Sequence, residues 1–178
     1  MKIEVVPHQL QWRDEFNEEA RLVAAALGDN VAAVHHIGST AIPYIYSKPI
    51  IDLLVEVHEI REVDRLSSAM ESLGYEIKGE FGIPGRRYFR KDNPRGIRTH
   101  QIHIFESGSS QIERHLAFRD YLIAHPDEAR KYGDLKRKLA DEHPEDPERY
   151  MDGKDGFIKE IDRSAAQWRG RSDERGSG

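Results

Sequence analysis

Residues 49–57, PIIDLLVEV, constrain this chain more than any other stretch, because they form its clearest strand and place one acid inside it. Side chains alternate along a strand, so Ile51, Leu53, Val55 and Val57 share one wholly apolar face. Ile50, Asp52, Leu54 and Glu56 share the other. A core strand seldom carries a carboxylate without cause, since an unpaired buried charge is costly. Asp52 faces away from the main core. It is either a group that works on a ligand or a carboxylate satisfied by backbone or Lys48 hydrogen bonds.

The rest of the chain frames that strand. Phe16, Ala20, Val23 and Leu27 recur at helical spacing, which predicts a helix from Gln9 to Leu27 ended near Gly28. VAAVHHI reads as a strand entering a turn at Gly38, with a short helix starting after Thr40. EVDRLSSAMESLGY reads as one helix stopping at Gly74. YEIKGE, RRYFRK and HQIHIFE read as three strands separated by Gly82, Pro84-Gly85 and Asp92-Asn93-Pro94 turns. KIEVV is a short strand or an extended arm. Helices are expected from Ser110 to Ala124, from Pro126 onward, and from about Pro147 to Trp168. The order of elements suits an α+β domain with a mixed sheet and a C-terminal helical part. The expected organisation is a single domain over 1–168, with a sheet core at about 1–108, a helical part at about 109–168, and a disordered tail at 169–178.

The sequence has no cysteine, so disulfides, thiolate zinc sites and cysteine nucleophiles are excluded. No run approaches the roughly 20 apolar residues of a membrane span, and the N-terminus lacks an apolar leader core. A formal net charge of −5 argues against general nucleic-acid coating. The expectation is a cytoplasmic protein with no membrane partner. Nothing in the sequence speaks to its oligomeric state.

Chemistry has few places to sit. On THQIHIFE, Ile102 and Ile104 face the core, while Gln101, His103 and Phe105 face the other way. If this strand neighbours PIIDLLVEV, Asp52 and His103 approach from one side, and could bind a divalent cation together or orient each other. Gly38, Ser39 and Thr40 offer an approachable backbone and two hydroxyls for phosphate oxygens, or else an ordinary turn with a Ser or Thr cap. His35 and His36 alternate, so at most one points into a given pocket. Arg86, Arg87, Arg90 and Lys91 surround one strand. Alternation splits Arg87 and Lys91 from Arg86 and Arg90, and one pair could line a cleft. Tyr150 and Lys154 share a helix face at i, i+4. Neither the P-loop nor the dinucleotide signature occurs.

Taken in order, VVP…W…F, HHIGSTAIP, KPIIDLLVEV, GRRYFRK, THQIHIFE, FRDYL…HP…A..Y..LK..LA and Y…K..FI resemble the GrpB family from about Ile3 to Ala166. The order and spacing of these segments together carry the resemblance. It implies a nucleotidyltransferase-like mixed sheet flanked by helices. In active enzymes of that superfamily a Gly-Ser turn holds the triphosphate, and two acids at alternate strand positions hold Mg²⁺, often with a third from a later strand. Gly38 and Ser39 match the turn and Asp52 matches the first acid. Leu54 stands where the second would be, and His103 near the later one. Glu56 lies about 6.5 Å beyond Leu54 along an extended strand and is the poorer ligand. The family domain is attached in some proteins to dephospho-CoA kinase; with no P-loop here, kinase activity does not carry over.

The resemblance thus implies a nucleotide or other phosphorylated ligand in a cleft between the Gly38-Ser39 turn and the Asp52 strand. Asp52 and His103 are the candidate catalytic and metal-binding residues, with Mg²⁺ or Mn²⁺ as the candidate cofactor. Gly38, Ser39, Thr40, Lys48, Arg87, Tyr150 and Lys154 are the candidate ligand contacts. Metal-dependent nucleotidyl transfer is one expected activity. A non-catalytic accessory or ligand-binding domain, its acid pair lost at Leu54, is the alternative.

Overall fold

The strand expected from PIIDLLVEV forms as Ile51–Val57 (β2), inside a five-stranded mixed sheet. A computed structural model describes residues 2–176. Helix α1 (Gln11–Leu27) and β1 (Val31–Ile37) precede β2; α2 (Ile60–Arg65), α3 (Ser67–Ser72), β3 (Glu76–Ile77), β4 (Arg87–Asp92) and β5 (Arg98–Glu106) follow. The chain then runs through α4 (Ser110–Ala124), α5 (Pro126–Glu142) and α6 (Pro147–Gly176). The strand order is β1-β2-β5-β4-β3, with β2 and β5 parallel and every other neighbouring pair antiparallel. The expected α+β class is the one adopted.

Two compact units form. One comprises Leu10–Ala41 and Ile50–Ile112 and holds the whole sheet; the other comprises Met1–Gln9, Ile42–Pro49 and Glu113–Gly178. The residues expected in the sheet core at 1–9 and 42–49 therefore group with the helices. Backbone pairing explains it: Val6 and Ser47 exchange two N–H to carbonyl bonds of 2.9 Å, and the Ile3 N–H donates to the Pro144 carbonyl at 2.6 Å. KIEVV is thus an arm, not a strand.

In the sheet unit, Ile51, Leu53, Val55 and Val57 share a buried face with Phe89, Ile102 and Ile104. Helix α1 covers that face through Trp12, Val23 and Leu27, and the Phe16 ring stacks on His36 with centroids 4.6 Å apart. Each such aliphatic side chain contributes about 1.5–3 kcal/mol on burial, which fixes the register of β2. The single helix expected before Gly74 is broken at Leu66, whose φ and ψ are −101° and 11°. The Ser67-Ser68 pair that follows competes for backbone hydrogen bonds, and the Ser67 hydroxyl donates to the Val63 carbonyl at 3.4 Å. YEIKGE is a regular strand only over Glu76–Ile77. Lys78 and Gly79, the latter at a φ of 61°, both face Tyr88 as a bulge, the Lys78 N–H donating to the Tyr88 carbonyl at 3.0 Å and the Tyr88 N–H to the Gly79 carbonyl at 2.8 Å.

In the helical unit, Ile42, Ile45, Leu122, Ala129, Tyr132 and Ile161 form one apolar cluster, and Leu139, Ala140 and Tyr150 a second that Ile3, Val5 and Leu135 join. A cavity of about 380 Å³ lies beside the arm, between Lys2–Val5 and the Arg137, Ala140 and Asp141 turns of α5. Helix α6 runs on through 169–176, expected as tail, and Arg169 ties that extension to Glu113 at 2.8 Å and Asp120 at 3.0 Å. Ser177 and Gly178 lie outside the described residues. Among the described residues no helix is long and apolar enough to cross a membrane.

The α5 contact makes a quantitative expectation. A Cβ on Gly133 would fall 3.0 Å from the Tyr46 backbone nitrogen, whereas one on Gly156 of α6 meets nothing within 4 Å. Gly133→Ala should therefore destabilise by about 1–3 kcal/mol through overpacking against backbone that cannot swing away. Gly156→Ala should stabilise by roughly 0.5–1 kcal/mol through helix propensity. Urea denaturation of both variants checks the contrast; equal effects would contradict the close approach at Gly133.

Candidate functional site

Strand pairing assembles the site. Ile37, the last residue of β1, lies opposite Asp52, so the Gly38 turn that follows must pass over the Asp52 side chain. On β5, Gln101 pairs with Asp52 and His103 with Leu54; on β4, Tyr88 pairs with His103. Asp52, His103 and Tyr88 thus share one face of the sheet, opposite the α1 face.

Gly38 has a φ of 74°, a left-handed conformation that only glycine adopts without strain. Its Cβ position is occupied in effect by Asp52, whose Oδ2 would lie 2.4 Å away. The helix expected after Thr40 is a single 3₁₀ turn, Ser39–Ala41, closed by the Ala41 N–H on the Gly38 carbonyl at 3.1 Å. Pro43 disfavours the helical conformation at Ile42 and stops it. No helix N-terminus stands behind the hydroxyls. Thr40, 2% exposed, is turned inward. Its hydroxyl donates to the Ile50 carbonyl at 3.1 Å, so the His36 Nε2–H is what donates to Thr40 Oγ1 at 2.9 Å. Thr40 stitches the end of β1 to the start of β2 and is withdrawn from ligand contact. Ser39 is half-buried, and among the described residues nothing engages its hydroxyl.

Asp52 and His103 meet as the strand parity anticipates, with Asp52 Oδ1 3.4 Å from His103 Nε2. At the other ring nitrogen, Nδ1 lies 3.3 Å from the Arg86 Nη1. A guanidinium can only donate, so Nδ1 accepts and Nε2 carries the proton that points at Asp52. Arg86 is 7% exposed, and its guanidinium lies 4.9 Å over the Tyr88 ring. Its Nε donates to the Glu80 carbonyl at 3.1 Å and its Nη2 to the Phe81 carbonyl at 2.8 Å. Burial holds its pKa below the ordinary arginine value. Burial also pushes the Tyr88 phenol up; the Asp52 charge adds to that, while Arg98, Arg90 and Arg86 oppose it. Phe81, exposed and at a φ of 48°, stacks on Tyr88 with centroids 5.2 Å apart.

Arg86 is the residue that sequence reasoning passed over in favour of Arg87. Arg87 sits on the opposite face and is held bidentately by Asp64 of α2, at 2.7 and 3.2 Å; that hydrogen bond raises its pKa. The available signal was parity: Arg86 is two residues from Tyr88, so whichever strand edge faces His103 carries both.

The acids do not complete a two-ion set. Leu54 is 0% exposed, and Glu56 is paired with His35, Oε2 to Nε2 at 3.1 Å. Among the described residues no three His, Asp or Glu side chains cluster as metal ligands. Two-metal phosphoryl transfer needs carboxylates shared between ions about 3.5–4 Å apart, and Asp52 with a neutral imidazole does not fit that requirement.

The remaining candidates fall in the helical unit. Lys48 Nζ and Lys154 Nζ lie 4.3 and 4.7 Å from the centroid of the Tyr150 ring. Tyr150 itself is buried, and burial, followed by the neighbouring Tyr132, pushes its phenol far up. The spacing of Tyr150 and Lys154 therefore makes a cation–π pair, and Lys48 joins it.

The chain as a whole is similar to known proteins. The model of the GrpB protein family matches residues 2–164. The UPF0157 protein YqkA of Bacillus subtilis (strain 168) is 45% identical over 177 residues, covering 99% of this chain and 51% of YqkA, so the chain spans about half that relative's length. The crystal structure of conserved protein GrpB from Enterococcus faecalis matches with a TM-score of 0.89 at 46% identity, over 93% of this chain and 99% of that one. A dephospho-CoA kinase of Mycobacterium leprae (strain TN) is more distantly similar, 26% identical over 182 residues, covering 84% of this chain and 44% of that protein. Over residues 2–164 this chain belongs to the GrpB family.

Proposed function

We propose that this cytoplasmic GrpB protein binds a nucleotide or another phosphorylated small molecule on the Asp52 face of its sheet unit, beside the Gly38-Ser39 turn. One observation carries the reading. Asp52 is seated so close against a left-handed glycine that a Cβ would fall 2.4 Å from its carboxylate, and the next residue presents an unengaged hydroxyl. A phosphate at Ser39 would be repelled by Asp52 unless a cation lay between them. Asp52 would hold Mg²⁺ or Mn²⁺ there only together with oxygens of the ligand itself, because among the described residues no group of three ligands stands there. His103, proton on Nε2, orients the carboxylate. Lys48 and Lys154, over the Tyr150 ring of the helical unit, are a separate candidate for phosphate oxygens.

Leu54 favours a second reading, a binding or accessory domain without turnover, of the kind suggested by similarity to a dephospho-CoA kinase. Metal-dependent nucleotidyl transfer would require a second shared ion that Leu54 cannot help to hold.

The test is a thermal-shift series with the four NTPs, each with Mg²⁺ or Mn²⁺ and again with EDTA. At 100-fold excess over Kd a bound ligand stabilises by about 2.7 kcal/mol. Wild-type protein should gain this with cation present, Asp52→Ala should not, and Lys154→Ala reports on the second candidate. No shift with any NTP under either condition rejects the reading. Pyrophosphate release lost in Asp52→Ala would establish transfer; stabilisation without release would establish the binding module.

A further inference from the structure

Arg86 is a buried cation with no anion beside it among the described residues. Its hydrogen-bond partners are the Glu80 and Phe81 carbonyls and His103 Nδ1, all neutral acceptors. Among the described residues no carboxylate lies within ion-pairing distance of it. Its neighbours differ: Arg87 pairs with Asp64, Arg90 with Glu76 and Arg98 with Asp92. Of the two acids nearest in sequence, Glu80 accepts the Gly85 N–H at 2.6 Å and Asp92 pairs with Arg98. Asp52 lies on the far side of the His103 ring, so a neutral imidazole separates the two charges. A guanidinium has five N–H donors, and three are used. An unpaired charge in such a position is costly, and a bound anion removes the cost. Burial alone holds the group below its ordinary pKa, with the Tyr88 phenol as the one counterweight.

We infer that Arg86 is an anion receptor, whose two remaining N–H donors take a phosphate oxygen of the ligand on the side of His103 away from Asp52. This rests on the Asp52 face being the ligand site, but it places the negative group at Arg86 and leaves the cation to Asp52. Arginine suits the task because its planar fork matches phosphate geometry. The Glu80–Arg86 loop serves as its mount: the Glu80 and Phe81 carbonyls hold the guanidinium through Nε and Nη2.

Pyrophosphate and inorganic phosphate, without added metal and at matched ionic strength, are the probes, with wild type compared to Arg86→Met. Pyrophosphate should raise the wild-type melting temperature, and Arg86→Met should weaken its affinity roughly tenfold or more. The unliganded Arg86→Met protein should melt at or above wild type, because an uncompensated charge has been replaced by an apolar chain of similar length. A melting temperature well below wild type, or failure to fold, would show that Arg86 is structural and overturn the inference. So would an unweakened pyrophosphate response in the variant. Arginine-selective NMR of wild-type protein gives an independent measurement: an Arg86 Nε resonance unmoved by pyrophosphate also overturns it. Mg²⁺–NTP stabilisation that survives in Arg86→Met while pyrophosphate does nothing leaves the Asp52 reading intact and removes the receptor. Pyrophosphate binding at Arg86 with no response to any NTP does the reverse.

Discussion

Replacing Gly38 with alanine is expected to cost this protein more stability than any other exchange so small. Left-handed backbone costs an alanine about 1–2 kcal/mol. Overpacking against Asp52 adds about 1–3 kcal/mol, because the carboxylate is held between the turn and His103. At this chain length each kcal/mol lowers Tm by about 2–4 °C. A double-mutant cycle separates the two causes. Asp52→Ala removes Oδ2 and Cγ, the atoms that would stand 2.4 and 3.0 Å from the new methyl, but leaves the φ of 74° in place. The double variant should therefore recover the packing share and keep the backbone share, a coupling of about 1–3 kcal/mol. Strict additivity in urea denaturation would mean that turn and carboxylate do not touch.

The second large effect lies on the opposite face of the same sheet. Glu19 of α1 is 6% exposed, accepts from the Tyr75 hydroxyl at 2.6 Å and from Lys91 Nζ at 2.5 Å, and lies 3.8 Å from His100 Nε2. Lys91→Met should cost about 3–5 kcal/mol, since it strands a buried carboxylate. Acid sensitivity should follow a definite order. Burial pushes Glu19 up, but hydrogen bonds from Lys91 and Tyr75 and the nearby His100 and Lys91 charges outweigh it, so its pKa falls below 4.5. Burial holds His100 below 6.5, against the pull of Glu19. For both groups the unfolded chain takes up the proton first, so both withdraw stability as pH falls. His100 begins the loss below about 6.5 and Glu19 continues it below about 4.5. In Lys91→Met the sign at Glu19 reverses: with its ammonium gone, burial dominates, protonation relieves the folded state, and the deficit should shrink on acidification. Stability measured from pH 7 to pH 4 in both proteins checks this. A deficit that does not change with pH would contradict an ionised pair.

What could be read from the amino-acid string follows from where its periods are strong. The extent of α4 and the Pro126 start of α5 coincide with expectation, because proline and helical spacing act locally. The approach of Asp52 to His103 followed from strand alternation once β2 and β5 were taken as neighbours. Other features depended on information a single strand does not carry. Choosing Arg86 over Arg87 requires the register Tyr88 opposite His103, which is set by packing between strands. Thr40 and Ser39 look equivalent in a small-residue turn, yet one hydroxyl is spent on the Ile50 carbonyl and the other is not. The break at Leu66 and the early end of β3 arise from the Ser67 hydroxyl competing for a backbone carbonyl and from the left-handed backbone at Gly79, which weak propensities do not reveal.

The division of the chain has a practical consequence. The sheet unit is left after Ala41 and re-entered at Ile50, and the eight residues between belong to the helical unit. Neither unit is one continuous stretch, so neither can be cut out for separate expression by choosing two end points. A fragment ending at Ile112 would still carry Ile42–Pro49 and the arm, both stripped of their packing partners. The excursion also falls between Gly38 and Asp52, so bypassing it with a short linker would alter the covalent connection between the turn and the strand that carries the carboxylate. Swapping modules in this protein therefore means swapping the chain segments on both sides of that excursion together.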